Sequence, residues 1–125
     1  MSDSTDPQTE VLERIFHEPN RLSIMSVLCG SRKGISFTEL KDACHLTDGN
    51  LNRHLKVLEE ADAIRIEKAF VDSKPRTTIY LSDTGWKRFS EYLDALAGVV
   101  EKARQALPAR KPAPHGAFSA QPVKA

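Results

Sequence analysis

The amino-acid sequence predicts a mainly α-helical domain with one small β-hairpin, which places it in the α+β class. Three observations lead to this prediction. Apolar side chains recur at helical spacing through residues 36–61, and again from residue 82 onward. Between them, residues 64–81 alternate apolar and polar side chains around a Pro-containing turn, the pattern of two half-buried strands. Two short helices followed at once by a hairpin form a winged helix-turn-helix, here with further helices on both sides.

Length and composition limit the chain to one domain of ordinary size. Of its 125 residues, 40% are hydrophobic and 28% are charged, which suits a single core. We expect a flexible N-terminus at residues 1–7, the domain at residues 8–107, and a disordered Pro-containing tail at residues 108–125. No apolar run approaches the roughly 20 residues that span a bilayer, so we expect a cytoplasmic protein without a membrane partner.

The chain before residue 36 is predicted to form two helices. Leu12, Ile15 and Phe16 belong to a short apolar stripe, and we assign these three residues to an expected dimer interface. Pro19 then restarts the helix, because proline is favoured in a first helical turn. Residues 30–34 begin and end with glycine and close this second helix, after which a brief strand is expected.

The first helix of the helix-turn-helix is predicted to begin after Ser36. Glu39 stands three residues further on, which is the spacing of a capping box. Phe37, Leu40 and Ala43 recur at helical spacing, so we expect these three side chains to face the core. The helix is therefore predicted to be short and amphipathic.

The second helix of the motif has a polar outer face that suits DNA bases. Thr47 is its predicted N-cap, and Leu51, Leu55 and Leu58 fall on one side and must face the core. On the other side, Arg can read guanine and Asn can read adenine, while Gly49 allows a close approach to the groove. An ordinary solvated face is the alternative, although two Asn inside a helix are mildly unfavourable. The candidate DNA-binding residues of this recognition helix, residues 47–61, are Thr47, Asp48, Gly49, Asn50, Asn52, Arg53 and Lys56.

The hairpin that follows is predicted to carry positive charge at its tip. Ile64, Ile66 and Phe70 alternate with more polar neighbours along the first strand, and residues 72–75, Asp-Ser-Lys-Pro, are expected to form the turn. A wing laid along the DNA backbone could contact up to three phosphates, although an ordinary charged hairpin tip explains the residues equally well. The candidate DNA-binding residues of the wing, residues 68–78, are Lys68, Lys74 and Arg76.

A long helix that starts at Ser82 and Asp83 is predicted to carry a heptad seam. Its apolar residues alternate three- and four-residue spacings over about three repeats, the lower limit for a coiled coil. Packing on the same domain is the alternative, and we expect it for Trp86 and Phe89. Beyond Phe89, a domain of this size has no surface left to cover the apolar residues of the seam, so we expect a two-fold partner to cover them. The candidate dimerisation residues of this helix are Leu93, Leu96 and Val100.

These motifs resemble the bacterial and archaeal winged-helix transcriptional regulators of the MarR and ArsR type, most closely a small single-domain subgroup. Residues 46–51 read Leu-Thr-Asp-Gly-Asn-Leu and residues 74–77 read Lys-Pro-Arg-Thr, within a resemblance that covers residues 21–96. The resemblance implies a homodimer that binds a pseudo-palindromic operator in double-stranded DNA, with the recognition helix in the major groove. Asp62 stands where the family usually has Gly, in a left-handed conformation that Asp tolerates better than most residues.

Enzymatic, metal-binding and cofactor-binding functions find no support in the residues. The sequence contains no Gly-rich phosphate loop, no nucleophile elbow and no metal-ligand spacing. Cys44 and His45 are adjacent, so their side chains point apart. We expect His17, His54 and His115 to be hydrogen-bonded within the fold or solvated. The sequence therefore predicts a protein that is not an enzyme and holds no cofactor.

Two alternatives stay open at this point. The net charge of +1 does not by itself favour nucleic acid as a partner, and the same fold also serves as a protein-protein interaction module without specific DNA binding. A small-molecule effector between the wing domain and the dimer helices is compatible with the sequence, but no residue indicates its chemistry.

Overall fold

The computed structural model describes residues 13–108. The expected flexible N-terminus, the tail after residue 108 and Leu12 lie outside the described residues. The elements of the described part are, in order, α1 (Pro19–Cys29), β1 (Ile35–Ser36), α2 (Phe37–Cys44), α3 (Asp48–Glu60), β2 (Ile64–Val71), β3 (Lys74–Leu81) and α4 (Asp83–Ala106). This order confirms the predicted α+β winged helix-turn-helix.

The sheet is antiparallel, with the strand order β1-β3-β2. β2 and β3 pair along their whole length, from Ile64 opposite Leu81 to Val71 opposite Lys74. The short β1 adds a pair between Ile35 and Ile79 on the other side of β3. β3 is therefore the central strand, and the outer half of the hairpin projects beyond β1 as the wing.

The turn of the hairpin is tighter than the sequence predicts. Asp72 and Ser73 alone form it, both with positive φ angles of 52° and 65°, as in the two-residue turns that match the twist of a hairpin. Lys74 and Pro75 already belong to β3. The prediction of a turn at residues 72–75 is therefore wrong, because Pro75 lies within a strand and is paired with Phe70.

The helix predicted before Pro19 is not formed in its described part. Residues 14–18 adopt turns and bends, in which the backbone N–H groups of Phe16 and His17 donate to the Glu13 carbonyl at 3.1 and 3.0 Å. Glu18 then has extended backbone and caps α1, because its carboxylate accepts the Arg21 N–H at 2.8 Å. The cap and the proline that follows it start α1 anew and stop the preceding turn from continuing.

The core lies where all four helices of the described residues and the sheet meet, and it includes Leu40 of α2. Three aromatic rings, of Phe16, Phe89 and Tyr92, form one of its clusters, with centroids 5.3 to 5.8 Å apart. Phe16 is fully buried within the single chain. Its assignment to a dimer interface was therefore wrong, since it has no surface to offer to a partner.

Three side chains that the sequence predicts to pack within the domain are exposed. Ala43 faces solvent at the end of α2, and Phe70 lies beyond the core on the projecting part of the hairpin. Trp86 is 45% exposed and is covered only in part by Arg32, whose guanidinium carbon lies 4.8 Å from the ring centroid. Tyr92, which lies outside the predicted seam, is fully buried instead.

Candidate nucleic-acid interface

Side-chain caps fix the residues at which the two helices of the motif begin. The predicted capping box is present, because the Glu39 N–H donates to Ser36 Oγ at 3.1 Å and the Ser36 N–H donates to the Glu39 carboxylate at 3.3 Å. Thr47 caps α3 as predicted, with its hydroxyl accepting the Asn50 N–H at 3.2 Å. Between them His45 has a left-handed φ of 57° and ends α2. The turn that aims α3 is therefore short, and the N–H groups of His45 and Leu46 donate to the Asp42 and Lys41 carbonyls at 3.3 and 3.1 Å.

The recognition helix α3 presents a buried face and a polar face, as predicted. Leu51, Leu55 and Leu58 are buried in the core. On the other side, one candidate DNA-binding residue, Asn50, is half-buried, and the others are exposed. The exposed ones are Thr47, Asp48, Gly49, Asn52, Arg53 and Lys56.

Three of these polar residues already form hydrogen bonds with other side chains of the protein. Asn50 Oδ1 accepts a hydrogen bond from Arg53 Nη2 at 2.8 Å, which orients the guanidinium along the helix. The Asp48 carboxylate accepts from Lys41 Nζ at 2.9 Å, and this hydrogen bond raises the pKa of the Lys41 ammonium. Lys41 thus offsets the negative charge at the start of α3, where a phosphate would approach.

Gly49 has no role in the packing of the protein itself. A Cβ added at this position meets no atom within 4 Å. Glycine in a helix is less stable than alanine, so the fold alone gives no reason for glycine here. Its open surroundings leave room for another molecule to approach the backbone of α3 closely.

The cations of the wing do not form a single patch. Lys68, Lys74 and Arg76 are all exposed, and in the register Lys68 is opposite Thr77 while Arg76 is opposite Ala69. Because successive side chains of a strand point to opposite faces, Lys68 lies on one face of the hairpin and Lys74 and Arg76 lie on the other. The sequence did not predict this division.

An open cleft connects Lys68 with the recognition helix. Its volume is about 300 Å³, and it lies between α2, α3 and the hairpin. Asn52 of α3 and Lys68 of β2 both line it, so one ligand can meet both side chains. The other lining residues are Phe37, Leu55, Ile66 and Thr77.

The sequence missed two interactions that hold α3 in place. His54 is buried on α3, with Nδ1 3.2 Å from Arg21 Nη1, and burial lowers the pKa of its imidazole. Arg88 of α4 donates both to the Glu13 carboxylate and to the carbonyl of Ala61, at the C-terminal end of α3. No sequence pattern marks Arg88, because its partners lie far from it along the chain.

The outer face of α4 carries an apolar stripe. Trp86, Leu93 and Val100 lie on this face, and Leu107 follows the last residue of the helix. The four residues recur every seven positions and are 45%, 41%, 43% and 66% exposed. Of the other predicted dimerisation residues, Ile15 and Leu96 are half-buried and pack against the core.

An apolar pocket of about 340 Å³ opens beside this stripe. It is lined by residues 17–19, Leu22, Tyr92 and Leu96, and His17 Nδ1 lies 2.9 Å from the Tyr92 hydroxyl. The lining is almost entirely apolar, so the pocket suits an apolar side chain or a small apolar molecule.

Residues 13–108 contain neither a cluster of metal-binding side chains nor a membrane-spanning helix. Within this range no group of three or more His, Cys, Asp or Glu side chains is placed to hold a metal ion. None of the helices in the same range combines the length and the apolar character needed to cross a membrane.

Known proteins are similar to the chain in sequence or in fold. A family described as winged helix DNA-binding domain matches residues 20–100. An uncharacterized protein of Methanocaldococcus jannaschii is 34% identical over 80 residues, which cover 64% of this chain and 86% of that protein.

Two solved structures have a similar fold. A transcriptional regulator homologue from Pyrococcus horikoshii matches with a TM-score of 0.70 and 30% identity, over 75% of this chain and 93% of that one. A MarR-family transcriptional regulator from Silicibacter pomeroyi matches with a TM-score of 0.57 and 15% identity, over 81% of this chain and 66% of that one. At the lower identity the likeness concerns the fold alone.

Proposed function

The chain belongs to the family of winged helix DNA-binding domains, as its motifs predicted, and we propose that it represses transcription by binding a specific site in double-stranded DNA. In this proposal α3 lies in the major groove and the wing lies on the flanking backbone. One observation carries the proposal: the outer face of α3 is polar and mostly exposed from its first turn, while its inner face is buried.

The side chains on this face have the chemistry that base recognition needs. Arg53 can donate two hydrogen bonds to guanine, and Asn52 can make a paired contact with adenine. The hydrogen bond between Arg53 and Asn50 restricts the guanidinium before DNA binds, so less conformational entropy is lost on binding. Gly49 leaves the backbone of α3 open to the groove.

The wing cations support the proposal through their positions on the hairpin. Lys74 and Arg76 share one face near the tip, and both are exposed. Their charge attracts the phosphate backbone whatever the base sequence, so they set the orientation of the protein on the duplex. Lys68 lines the same cleft as Asn52 of α3, so it can contact the phosphate backbone of a DNA strand that Asn52 binds.

The apolar stripe on α4 supports a homodimer. Four large apolar side chains at heptad spacing are exposed to water, and a second copy of the chain can cover them. In this arrangement Leu93 and Val100 lie at the centre of the seam. Two copies related by a two-fold axis match a pseudo-palindromic operator, with half-sites about one helical turn apart.

The apolar pocket beside α4 is the place where an effector would act on this dimer. It contains Tyr92 and Leu96 of α4 together with Leu22 of α1. A small apolar molecule bound there changes the angle between α4 and α1, and hence the distance between the two recognition helices.

Selection of duplexes from a random-sequence DNA pool at near-physiological salt tests the proposed function. We expect enrichment of an inverted repeat, because a symmetric dimer selects a symmetric site. Arg53→Ala should lose the preference at one base pair of each half-site and keep its fold, since Arg53 is exposed.

The outcome also distinguishes the proposal from the same fold used as a protein-interaction module. A folded wild-type protein that enriches no sequence would contradict specific DNA binding and favour such a module. Enrichment of a single half-site without its inverted copy would keep the DNA-binding function and contradict the dimer.

A further inference from the structure

The tip of the wing carries an aromatic side chain that the proposed DNA contacts leave unused. Phe70 is 77% exposed, more than any other large hydrophobic side chain among the described residues. Isolated exposed apolar residues are common on protein surfaces. Phe70 differs from these because it stands at the end of a projecting hairpin, next to the charged residues of the wing.

The strand register gives Phe70 an apolar neighbour. Phe70 is paired with Pro75, and Val71 with Lys74 next to the two-residue turn. In such a hairpin the second pair from the turn is a non-hydrogen-bonded pair, whose side chains lie close together. Pro75 therefore breaks no hydrogen bond to β2, and with Phe70 it forms an apolar tip.

This apolar tip lies on the face of the hairpin that is turned towards the recognition helix. Because side chains alternate along a strand, Phe70 shares a face with Ile64, Ile66 and Lys68. Ile64 is buried, and Ile66 and Lys68 line the cleft with Asn52 of α3. A duplex seated on α3 consequently meets the apolar tip on the same side of the molecule.

The charges around the tip match a polyanion. Residues 68–76 carry three exposed cations against the single carboxylate of Asp72. Lys68 lies on the same face of the hairpin as Phe70, and Lys74 and Arg76 lie on the other face. Among possible occupants, an apolar protein surface does not need these cations, whereas the phosphates of a duplex pair with them and its sugars and bases offer apolar contact.

Resting on the proposed DNA binding, we propose that Phe70, backed by Pro75, is an apolar wedge that enters the minor groove beside the recognition site and partly unstacks one base step. Proteins that kink DNA insert phenylalanine and proline side chains in this way. Unstacking costs least at pyrimidine–purine steps such as TA. The wedge therefore adds a sequence preference at positions where no side chain forms hydrogen bonds with a base.

Fluorescence anisotropy with the full chain and the enriched duplex tests the wedge. We expect Phe70→Ala to weaken binding about tenfold, since an aromatic contact with a base is lost, and to leave the salt dependence unchanged, since no phosphate contact is lost. Val71→Ala is the matched control, because Val71 is an exposed apolar residue on the opposite face, and it should change the affinity by less than about twofold.

A second measurement uses the flanking base step itself. When a TA step next to the half-site is replaced by GG, the wild-type protein should lose affinity and Phe70→Ala should not. Unchanged affinity of Phe70→Ala, or an equal loss for both proteins on the GG duplex, overturns the wedge and leaves the proposed function standing. If the wild-type protein enriches no duplex, both fail. A change in the sedimentation of Phe70→Ala at unchanged DNA affinity overturns the wedge in favour of a contact between copies of the chain.

Discussion

Replacing Gly49 with alanine should stabilise the protein and weaken its DNA binding. Gly49 lies in the first turn of α3, and a Cβ at this position meets no atom within 4 Å. Alanine loses less backbone entropy than glycine when a helix forms, a difference of about 0.5–1 kcal/mol. For a domain of this size, the midpoint of thermal unfolding should rise by about 2–6 °C.

Gly85→Ala provides the matched control for this stabilisation. Gly85 is buried at the start of α4, where an added Cβ would lie 1.9 Å from the Ala63 carbonyl oxygen and 2.7 Å from its carbonyl carbon. The start of α4 must shift to remove this overlap, and overpacking of this kind costs about 1–3 kcal/mol. The same chemical change should therefore lower the unfolding midpoint at Gly85 and raise it at Gly49.

The DNA affinity of Gly49→Ala shows whether DNA approaches the open space beside Gly49. The new methyl group lies where α3 approaches the groove, and a steric conflict there should reduce affinity about fivefold or more. Circular dichroism measures the unfolding midpoint, and fluorescence anisotropy with the enriched duplex measures the affinity. A more stable variant that binds as tightly as the wild type refutes the close approach at Gly49. A variant that is less stable than the wild type refutes the conclusion that the space around Gly49 is free.

Three further predictions follow from the interface, the seam and the core. Arg53→Ala should cost about 1–3 kcal/mol of DNA-binding free energy at one base position. Arg76→Ala should weaken binding to all sequences alike and lower the slope of the salt dependence by about one unit. Equal effects of the two variants on every sequence would rule out base reading by Arg53. Leu93→Glu should give folded monomers in analytical ultracentrifugation, and an unchanged sedimentation coefficient removes Leu93 from the seam. Burial lowers the pKa of His54, so its contribution to stability is complete above the unfolded pKa of about 6.5 and is lost as the pH falls towards the folded value. The urea midpoint should therefore fall more between about pH 7.5 and pH 5.5 in the wild type than in His54→Gln; an equal fall refutes the role of His54.

The length of one turn shows where prediction from the sequence fails. A turn at residues 72–75 would pair Phe70 with Thr77, whereas the two-residue turn pairs Phe70 with Pro75. Strand alternation alone is the same in both registers. The register depends on the backbone angles of Asp72 and Ser73, and neither residue type requires positive φ.

The sequence predicted only in part which apolar side chains of α4 are exposed. Heptad spacing identified Leu93 and Val100, which the structure finds exposed, and Phe89 is buried in its own domain as expected, but Trp86, which was expected to pack there too, is exposed. Tyr92, outside the heptad pattern, is buried against Phe16. A helix that packs on its own domain with one face and leaves another face exposed has two overlapping apolar stripes, and sequence spacing alone does not separate them.

Much of this fold could be predicted from the sequence because it depends on local interactions. The capping box of Ser36 and Glu39, the cap at Thr47 and the buried leucines of α3 each depend on residues within a few positions of one another, so pattern and structure agree. The family motifs around α3 and the wing add the expectation of DNA binding.

Only the tertiary structure decided which groups meet across the chain. It buried Phe16 among Phe89 and Tyr92, and it brought Arg88 to the end of α3. These contacts join segments that are far apart in sequence, and the local propensities of the separate segments do not specify their relative placement, because it follows from how the whole core packs.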